Sequence, residues 1–357
     1  MTRSLHFFMG ANSGGGFRNL FDRFAQAEGW HDLIILKGSP GCGKSTMMRR
    51  MGEAVEACGV QVEYLHCSGD PDSLDGVYVP SIRAGILDGT APHIVEPRCP
   101  VAVDRCVDLA QFCDLSEAKA RREAILEHGT ACSEAYREAY RALRAAREME
   151  VSAAEMASAC FDEQRLLRRA DGVISREMRG KGDGRADCWR FPGSITWKGG
   201  VWRFDSVANL CPRVYALQDS FGLSASFLDK IYRAAKSRGY GAILCPDAED
   251  MGRLQHLLLP ELGLAFVTDR EGMRFTGDAY RRIRVDAMLS GERFTSLRSK
   301  LRLTQKLQQT LRGEAIASLR EAKRLHDLLE QDYRPVVDFS AVDAVTRWET
   351  ERWLSRL

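Results

Sequence analysis

The sequence predicts an α/β protein made of two tandem repeats, each with a mainly parallel sheet followed by a helical arm. Three observations predict this fold class. A short apolar strand, a glycine-rich turn and a helix follow one another within residues 32–57. The same pattern returns about 180 residues later. Each copy is then followed by a stretch rich in Ala, Leu, Glu and Arg, with apolar residues at helical spacing.

Length and charge limit the classes of protein that fit. The 357 residues suit two domains, and 51 Lys and Arg against 49 Asp and Glu leave a net charge of +2. This balance provides no large field to hold a nucleic-acid backbone or an anionic membrane surface. We therefore expect no membrane partner. The overall charge gives no strong signal for a nucleic acid, and a local basic patch stays open.

Hydropathy and cysteine usage both predict a cytoplasmic protein. The apolar runs are far shorter than the roughly 20 residues that span a bilayer, and the N-terminal run is too short for a signal peptide. The 11 cysteines are an odd number and include no Cys-x-x-Cys pair. This pattern favours neither a disulfide framework nor a zinc ribbon.

The strongest motif lies between a strand and a helix. Residues 32–36 are typical of a buried parallel strand, residues 38–45 follow the pattern Gly-x-x-x-x-Gly-Lys-Ser, and a helical stretch continues to Ala57. This order is the context that a phosphate-binding loop, the P-loop, requires. The sequence predicts a nucleoside triphosphate site with these binding residues: Gly38, Ser39, Pro40, Gly41, Cys42, Gly43, Lys44, Ser45 and Thr46.

Each residue type in this loop has a chemical reason. Glycine lets successive backbone N–H groups face one anion, and the start of the helix adds free N–H groups of its own. Lys44 is expected to contact the β and γ phosphates and to act in catalysis, while the hydroxyl of Ser45 is expected to bind Mg²⁺. ATP and Mg²⁺ are therefore the predicted cofactors.

A second metal contact is expected at the end of a neighbouring parallel strand. Asp88 closes the apolar segment 82–87 and is predicted to hold Mg²⁺ through its water shell. A turn-forming role at the strand end is the alternative. Gly89 follows it, where many hydrolytic P-loop proteins carry a Glu that activates water, so the sequence does not ensure fast ATP hydrolysis.

An acidic loop, residues 66–76, follows a strand predicted at 61–65. Ligands of open α/β sheets lie beyond the carboxyl ends of the strands, so Asp70 and Asp72 are predicted catalytic residues, as general bases or as groups around the metal. Asp-Pro pairs and clustered Asp residues also start turns, and a structural role stays open for both.

The second copy repeats the framework of the first loop without its chemistry. Residues 217–226 align with 36–45 and keep Leu, Ser, Gly and Ser in place. Three positions of the loop differ, as Gly38 to Asp219, Gly43 to Ser224 and Lys44 to Ala225. Loss of the Lys alone removes a charge-assisted contact worth about 1.5 to 3 kcal/mol. We therefore expect the second copy to bind no nucleoside triphosphate.

Other segments align at nearly the same offset. Glycine-rich residues 15–17 match 199–201, and Asp88 matches Thr268, with Asp269 beside it. Acidic residues also recur in the second copy, as Asp247, Glu249 and Asp250. Because these acids persist where the loop has lost its Lys, they strengthen the structural alternative for the acidic loop of the first copy.

The repeats give the predicted domain boundaries. We expect a P-loop domain over 1–113, a helical arm and linker over 114–180, a degenerate copy over 185–286 and a C-terminal helical arm over 287–357. The glycine-rich run 180–184 is the natural linker. The arms are expected to pack on the core or on each other. The alternative is that their Arg-rich faces bind a second copy, another protein or a nucleic acid.

Three segments together resemble an uncharacterised bacterial family of tandem P-loop proteins, described as ATPases or ATP-binding proteins. They are residues 38–46, 66–76 and 88–93, and the resemblance is specific over roughly residues 5–145. It implies ATP binding by the first copy and supplies no substrate. In this family the second half also tends to look like a P-loop domain. The missing Gly and Lys residues depart from that pattern and argue against a mechanism with two ATP molecules.

Three functions are consistent with these features. The first is a Mg²⁺-dependent ATPase or nucleotide-driven switch with an inactive second copy. The second is a nucleotide or small-molecule kinase in which Asp70 or Asp72 accepts a hydroxyl proton. The third is a scaffold that senses ATP without hydrolysing it.

Overall fold

Two six-stranded mixed sheets, one in each half of the chain, form the framework of this α/β protein. The computed structural model describes residues 4–26 and 29–357. The strands of the first half are β1 (Leu5–Phe8), β2 (Gly10–Ser13), β3 (Gly16–Asn19), β4 (Asp32–Lys37), β5 (Glu63–His66), β6 (Leu74–Val79), β7 (Ala84–Asp88) and β8 (Asp104–Asp108). Those of the second half are β9 (Cys188–Trp189), β10 (Gly193–Thr196), β11 (Gly199–Trp202), β12 (Arg213–Gln218), β13 (Ile243–Asp247), β14 (Asp250–Leu259), β15 (Leu264–Asp269) and β16 (Arg281–Arg284).

The helices follow a similar order in the two halves of the described chain, except that the first half has an additional short helix at Leu115–Ala120. The first half and its arm contain α1 (Phe21–Ala25), α2 (Lys44–Ala57), α3 (Leu115–Ala120), α4 (Arg122–Ser158) and α5 (Glu163–Glu177). The second half and its arm contain α6 (Phe204–Leu210), α7 (Ala225–Ser237), α8 (Glu292–Tyr333) and α9 (Phe339–Leu354). None of the helices in the described residues has both the length and the apolar character needed to cross a membrane.

The two sheets have the same topology. Their strand orders are β1-β5-β6-β7-β4-β8 and β9-β13-β14-β15-β12-β16. In both, the third strand of the order, β6 or β14, is antiparallel to both neighbours and the other pairs are parallel. The predicted class, α/β with two mostly parallel sheets, is therefore confirmed, and the equal order is compatible with two repeats. The sequence did not predict the antiparallel strand.

A direct contact between equivalent residues relates the two halves, which we call lobes. Phe8 N donates to Phe191 O at 2.8 Å, and Phe191 N donates to Phe8 O at 2.9 Å. Such reciprocal pairing is what a local two-fold axis produces. The hairpins beside it, β2–β3 and β10–β11, correct one detail of the sequence alignment. Gly16, not Gly15, is the equivalent of Gly199, since each begins the second strand of its hairpin with a positive φ, 94° and 102°.

Alternation along β4 explains how the layers form, because successive side chains of a strand face opposite sides of the sheet. Leu33 and Ile35 belong to a core that both lobes share. Ile34 and Leu36 instead face an outer core of the first lobe, which includes Met47 and Met51 of α2. The second lobe has an outer core of the same kind, built on α7.

The arms cross between the lobes. The long helices α4 and α8 pack along each other, and the short helix behind each one ends on the opposite lobe. Leu166 and Ala170 of α5 join the outer core of the second lobe, whereas Val342 and Trp353 of α9 join that of the first. The predicted packing of the arms thus takes an exchanged form. Each lobe is completed by a helix that belongs in sequence to the other unit.

Candidate functional site

The glycine-rich loop, residues 38–45, connects β4 to α2 and has the backbone that an anion-binding loop needs. Gly38, Gly41 and Gly43 have φ values of 149°, 71° and 96°, which side chains rarely adopt. A Cβ on Gly41 would also lie 3.0 Å from the backbone oxygen of Glu330 in α8. No side chain caps the N-terminus of α2, so the first-turn N–H groups of this 14-residue helix remain suited to an anion.

Lys44 and Asp88 meet at the mouth of this loop. β4 and β7 are parallel neighbours in which Leu36 pairs with Asp88, so both strands end at the same edge. Lys44 Nζ donates to the backbone oxygens of Gly38 at 3.0 Å and Ser39 at 2.9 Å, and lies 3.7 Å from Asp88 Oδ2. The structure therefore brings the two most important predicted residues together.

The other contacts of Asp88 and Ser45 order the site. Asp88 Oδ1 accepts hydrogen bonds from Thr90 N at 2.9 Å and Thr90 Oγ1 at 2.6 Å, so this residue does form the turn considered as its alternative role. Its other oxygen faces Lys44. Ser45 Oγ accepts a hydrogen bond from Leu74 N at 2.9 Å. A hydroxyl and a carboxylate oxygen beside an anion-binding loop are hard ligands, which suit Mg²⁺.

Asp75 is a site residue that the sequence did not single out. It lies on β6 next to Asp88 on β7, because Gly76 pairs with Leu87 in this antiparallel ladder. Its carboxyl is buried, and its Oδ2 atom has no hydrogen-bond partner among the described residues. His93 Nε2 lies 3.6 Å from that atom. Burial raises the pKa of Asp75 to about 6, opposed by His93 and reinforced by Asp88.

Asp70 and Asp72, the predicted catalytic acids, contact the second lobe and its arm. Asp70 accepts hydrogen bonds from Ser73 Oγ at 2.8 Å and Trp197 Nε1 at 3.4 Å, and Lys323 Nζ of α8 lies 3.6 Å away. Burial acts to raise the pKa of Asp70, but the Ser73 hydrogen bond and the Lys323 charge bring it below its usual value.

Asp72 is exposed and pairs with Lys198 at 2.5 Å. Both acids therefore already have polar partners between the lobes. These contacts favour the structural role for the pair.

The equivalent loop of the second lobe holds a carboxylate of its own. Gly222 has a φ of 70°, nearly that of Gly41, so the turn is retained. The buried carboxylate of Asp219, which replaces Gly38, accepts hydrogen bonds from Leu223 N and Ser224 N, both at 2.8 Å. The loop amides that could face a phosphate are thus taken by a side chain of the protein itself.

The remaining acids of the second lobe have separate surroundings. Asp269, beside Thr268, is buried and lies 3.2 Å from Arg282 and 3.5 Å from Arg274. Asp250 is exposed, whereas Asp247 and Glu249 line a cavity described below. None of these acids stands beside a lysine of the loop, since Ala225 occupies that position.

Comparisons with protein-family models, with curated proteins and with solved structures give no match to this chain. The resemblance to tandem P-loop proteins therefore stays an expectation from the sequence. The site must be judged from its own geometry.

Proposed function

We propose that this protein binds ATP and Mg²⁺ at the glycine-rich loop of the first lobe and acts as an ATPase or nucleotide-driven switch, in a cytoplasmic setting. One observation supports the proposal above all. Two loops of similar shape lie in one chain. The carboxylate of Asp219 accepts hydrogen bonds from two amides of one, whereas no side chain caps the helix N-terminus at the other. The open loop is also the one with Lys44 and Asp88.

The residues of the first loop would divide the work as follows. Loop N–H groups and the N-terminus of α2 would hold the phosphate oxygens, and Lys44 would place its charge on the outer phosphates. Ser45 and Asp88 would hold Mg²⁺, which when bound neutralises phosphate charge. Asp75 would accept a proton beside Asp88, since it is buried and has an oxygen without a hydrogen bond.

A kinase is the second candidate, and Gly89, which stands where a water-activating Glu would follow Asp88, favours it. A Cβ on Gly89 would lie 2.4 Å from Ile35 Cγ2, so no carboxylate can follow Asp88 without rearrangement. Asp75, on the strand beside Asp88, is then a carboxylate that could act as the base, and it would take a proton from water in an ATPase or from an acceptor hydroxyl in a kinase. A sensor that binds ATP without hydrolysing it needs no proton transfer from water or from an acceptor hydroxyl.

Binding and turnover of MgATP by wild type and Lys44→Ala test the proposal. Loss of Lys44 should weaken binding about 10- to 150-fold, the equivalent of a lost charge-assisted contact. Lys230→Ala is the matched control, because Lys230 is a surface residue of α7 whose ion pair with Asp171 lies in the second lobe. Equal affinity in wild type and Lys44→Ala would refute the proposed site.

The reaction class follows from where the phosphate goes. Release of inorganic phosphate that depends on Lys44 supports the ATPase, and transfer of labelled phosphate to a metabolite pool supports the kinase. Binding without either product supports the sensor.

A further inference from the structure

A cavity of about 390 Å³ lies beside the second lobe, where hairpin β10–β11, residues 247–249 and α8 come together. Its size is in the range of sites that hold small molecules. Its apolar wall comes from four large side chains: Phe191, Trp202, Met273 and Ile316. None of these residues belongs to the site proposed for ATP.

One side of the cavity is positively charged. Arg270 and Arg312 both line it and share one carboxylate, Glu150, at 2.5 and 2.9 Å. Arg270 is only 8% exposed, and within the described part of the chain its Nε atom has no hydrogen-bond partner. The two guanidinium groups use only part of their N–H donors on Glu150, and the unpaired, buried Nε–H of Arg270 calls for an acceptor.

Three acids of the lining, Asp247, Glu249 and Glu271, stand against the two arginines. Both oxygens of Glu249 lie within 3.1 Å of Gly14 N, and Arg147 Nε lies 4.0 Å from Oε2. Burial raises the pKa of Glu249 to about 7, and burial also raises the pKa of Asp247.

The first lobe fills the equivalent space with tyrosines. Cys113 and Leu289 occupy equivalent positions, because each forms a β-bridge to the arm of the other unit. Counting the same number of residues onward from each, Tyr136 is the equivalent of Arg312, and Tyr140 is the equivalent of Ile316. A Cβ on Gly69, the equivalent of Glu249, would lie 2.6 Å from the hydroxyl of Tyr136. Tyr140 Oη donates to Asn12 Oδ1 at 3.0 Å. The cavity is thus a feature of the second lobe, produced by smaller or charged side chains at these positions.

We infer that this cavity binds a small organic carboxylate with a flat apolar body. The carboxylate would accept hydrogen bonds from Arg270 and Arg312, and the body would lie against Trp202 and Met273. The shared Glu150 holds both guanidinium groups in place before a ligand arrives, which reduces the entropy lost on binding. The inference concerns the second lobe and does not depend on ATP binding by the first.

Isothermal titration with matched acids and amides tests the inference. The probes are benzoate and indole-3-acetate, each against its neutral amide, at up to about 5 mM, the weak end of small-ligand affinity. At least one acid should bind, and its amide should bind tenfold or more weakly, because it lacks the charge that the arginines pair. Absence of binding by both acids, or equal binding by acid and amide, would overturn the inference.

Variants locate the site. Ile316→Tyr places the first lobe's residue in the cavity and should abolish binding by filling it. Arg270→Gln should weaken binding by tenfold or more, although it leaves Glu150 short of a partner and its folding must be checked by circular dichroism. Arg324→Gln, on the exposed face of α8, should bind like wild type, as should Lys44→Ala. Binding that survives Ile316→Tyr would exclude this cavity.

Discussion

The two lobes share their strand order and differ in what they leave open. In the first lobe no side chain caps the helix that follows the loop, and Tyr136 and Tyr140 fill the equivalent of the cavity. The second satisfies its loop with Asp219 and leaves the cavity open. Each lobe thus retains one of two openings that the common backbone allows. Side chains at a few positions decide which opening a lobe retains, and the strand order of the two sheets stays the same.

Asp219 shows how such a loop can be closed without losing its shape. Buried N–H groups need a partner, and a carboxylate that accepts two of them replaces the partner that a ligand would supply. The turn at Gly222 is therefore retained although the lysine is gone.

The largest expected effect concerns the exchanged helices. Trp353 of α9 is fully buried in the outer core of the first lobe, and its Nε1 donates to Asp32 Oδ2 at 3.3 Å. Trp353→Ala should destabilise the first lobe by about 3 to 5 kcal/mol. Hydrogen exchange of the β4 and α2 amides measures this loss. Trp348→Ala, which removes a 55% exposed side chain of the same helix, should leave those amides protected. Faster exchange confined to the second lobe would contradict the exchanged arrangement.

The next largest effect is a pH dependence of stability that the first lobe should have and the second should lack. Asp75, with a pKa raised by burial to about 6, corresponds to the neutral Gln255. A carboxyl with a raised folded pKa contributes full stability below its unfolded pKa near 4, and this contribution is lost as pH rises through 6. Relative to Asp75→Asn, wild type should lose about 3 kcal/mol of unfolding free energy between pH 4 and 7.

Urea denaturation of both proteins across this pH range measures the difference. Glu314→Gln, at an exposed position of α8, is the control and should not remove this dependence. If the unfolding free energies of wild type and Asp75→Asn change with pH in the same way, the pKa of Asp75 is not raised in the folded protein.

A third prediction moves the second lobe's carboxylate into the first loop. Gly38→Asp should weaken MgATP binding at least about tenfold beyond Gly38→Ala, because a carboxylate there competes with phosphate for the loop amides. The alanine variant reports the strain alone, since φ at Gly38 is 149° and a Cβ would lie 2.7 Å from Cys42 Sγ. Equal affinities of the two variants would argue against competition at the amides.

The smallest effect is expected from the reverse change. Asp219→Ala leaves the N–H groups of Leu223 and Ser224 without their carboxylate and should destabilise the second lobe by about 1 to 3 kcal/mol. It should create no ATP site, because Ala225 still stands where the lysine would be. Asp229→Ala, at a surface ion pair of α7, is the control for thermal denaturation. A variant as stable as wild type would show that the Asp219 hydrogen bonds contribute little.

Local signals allowed the sequence to predict β4, its loop, α2 and the fold class, because apolar runs and glycine spacing act over a few residues. The same signals also predicted that only the first loop binds a phosphate, because Asp219 stands where the first loop has Gly38. What the sequence missed depends on distant contacts. Asp75 stands beside Asp88 only because β6 inserts antiparallel next to β7, a pairing that short-range patterns do not reveal.

The exchange of α5 and α9 was missed for a similar reason. Their apolar faces predict packing, but nothing local says on which lobe a helix will pack at the end of an arm of 37 or 42 residues. The cavity arises where hairpin β10–β11, the first lobe and α8 meet, so it too depends on tertiary structure. The one local sign of the cavity is that Arg312 stands in the second arm where the first arm has Tyr136.

The stoichiometry of MgATP binding tests most directly that the two lobes differ in this way. Equilibrium titration of the full chain should give one site per chain, weakened about 10- to 150-fold in Lys44→Ala and retained at full affinity in Asp219→Ala. Two sites per chain, or one site whose affinity does not change in Lys44→Ala, would contradict the assignment of nucleotide binding to the first lobe alone.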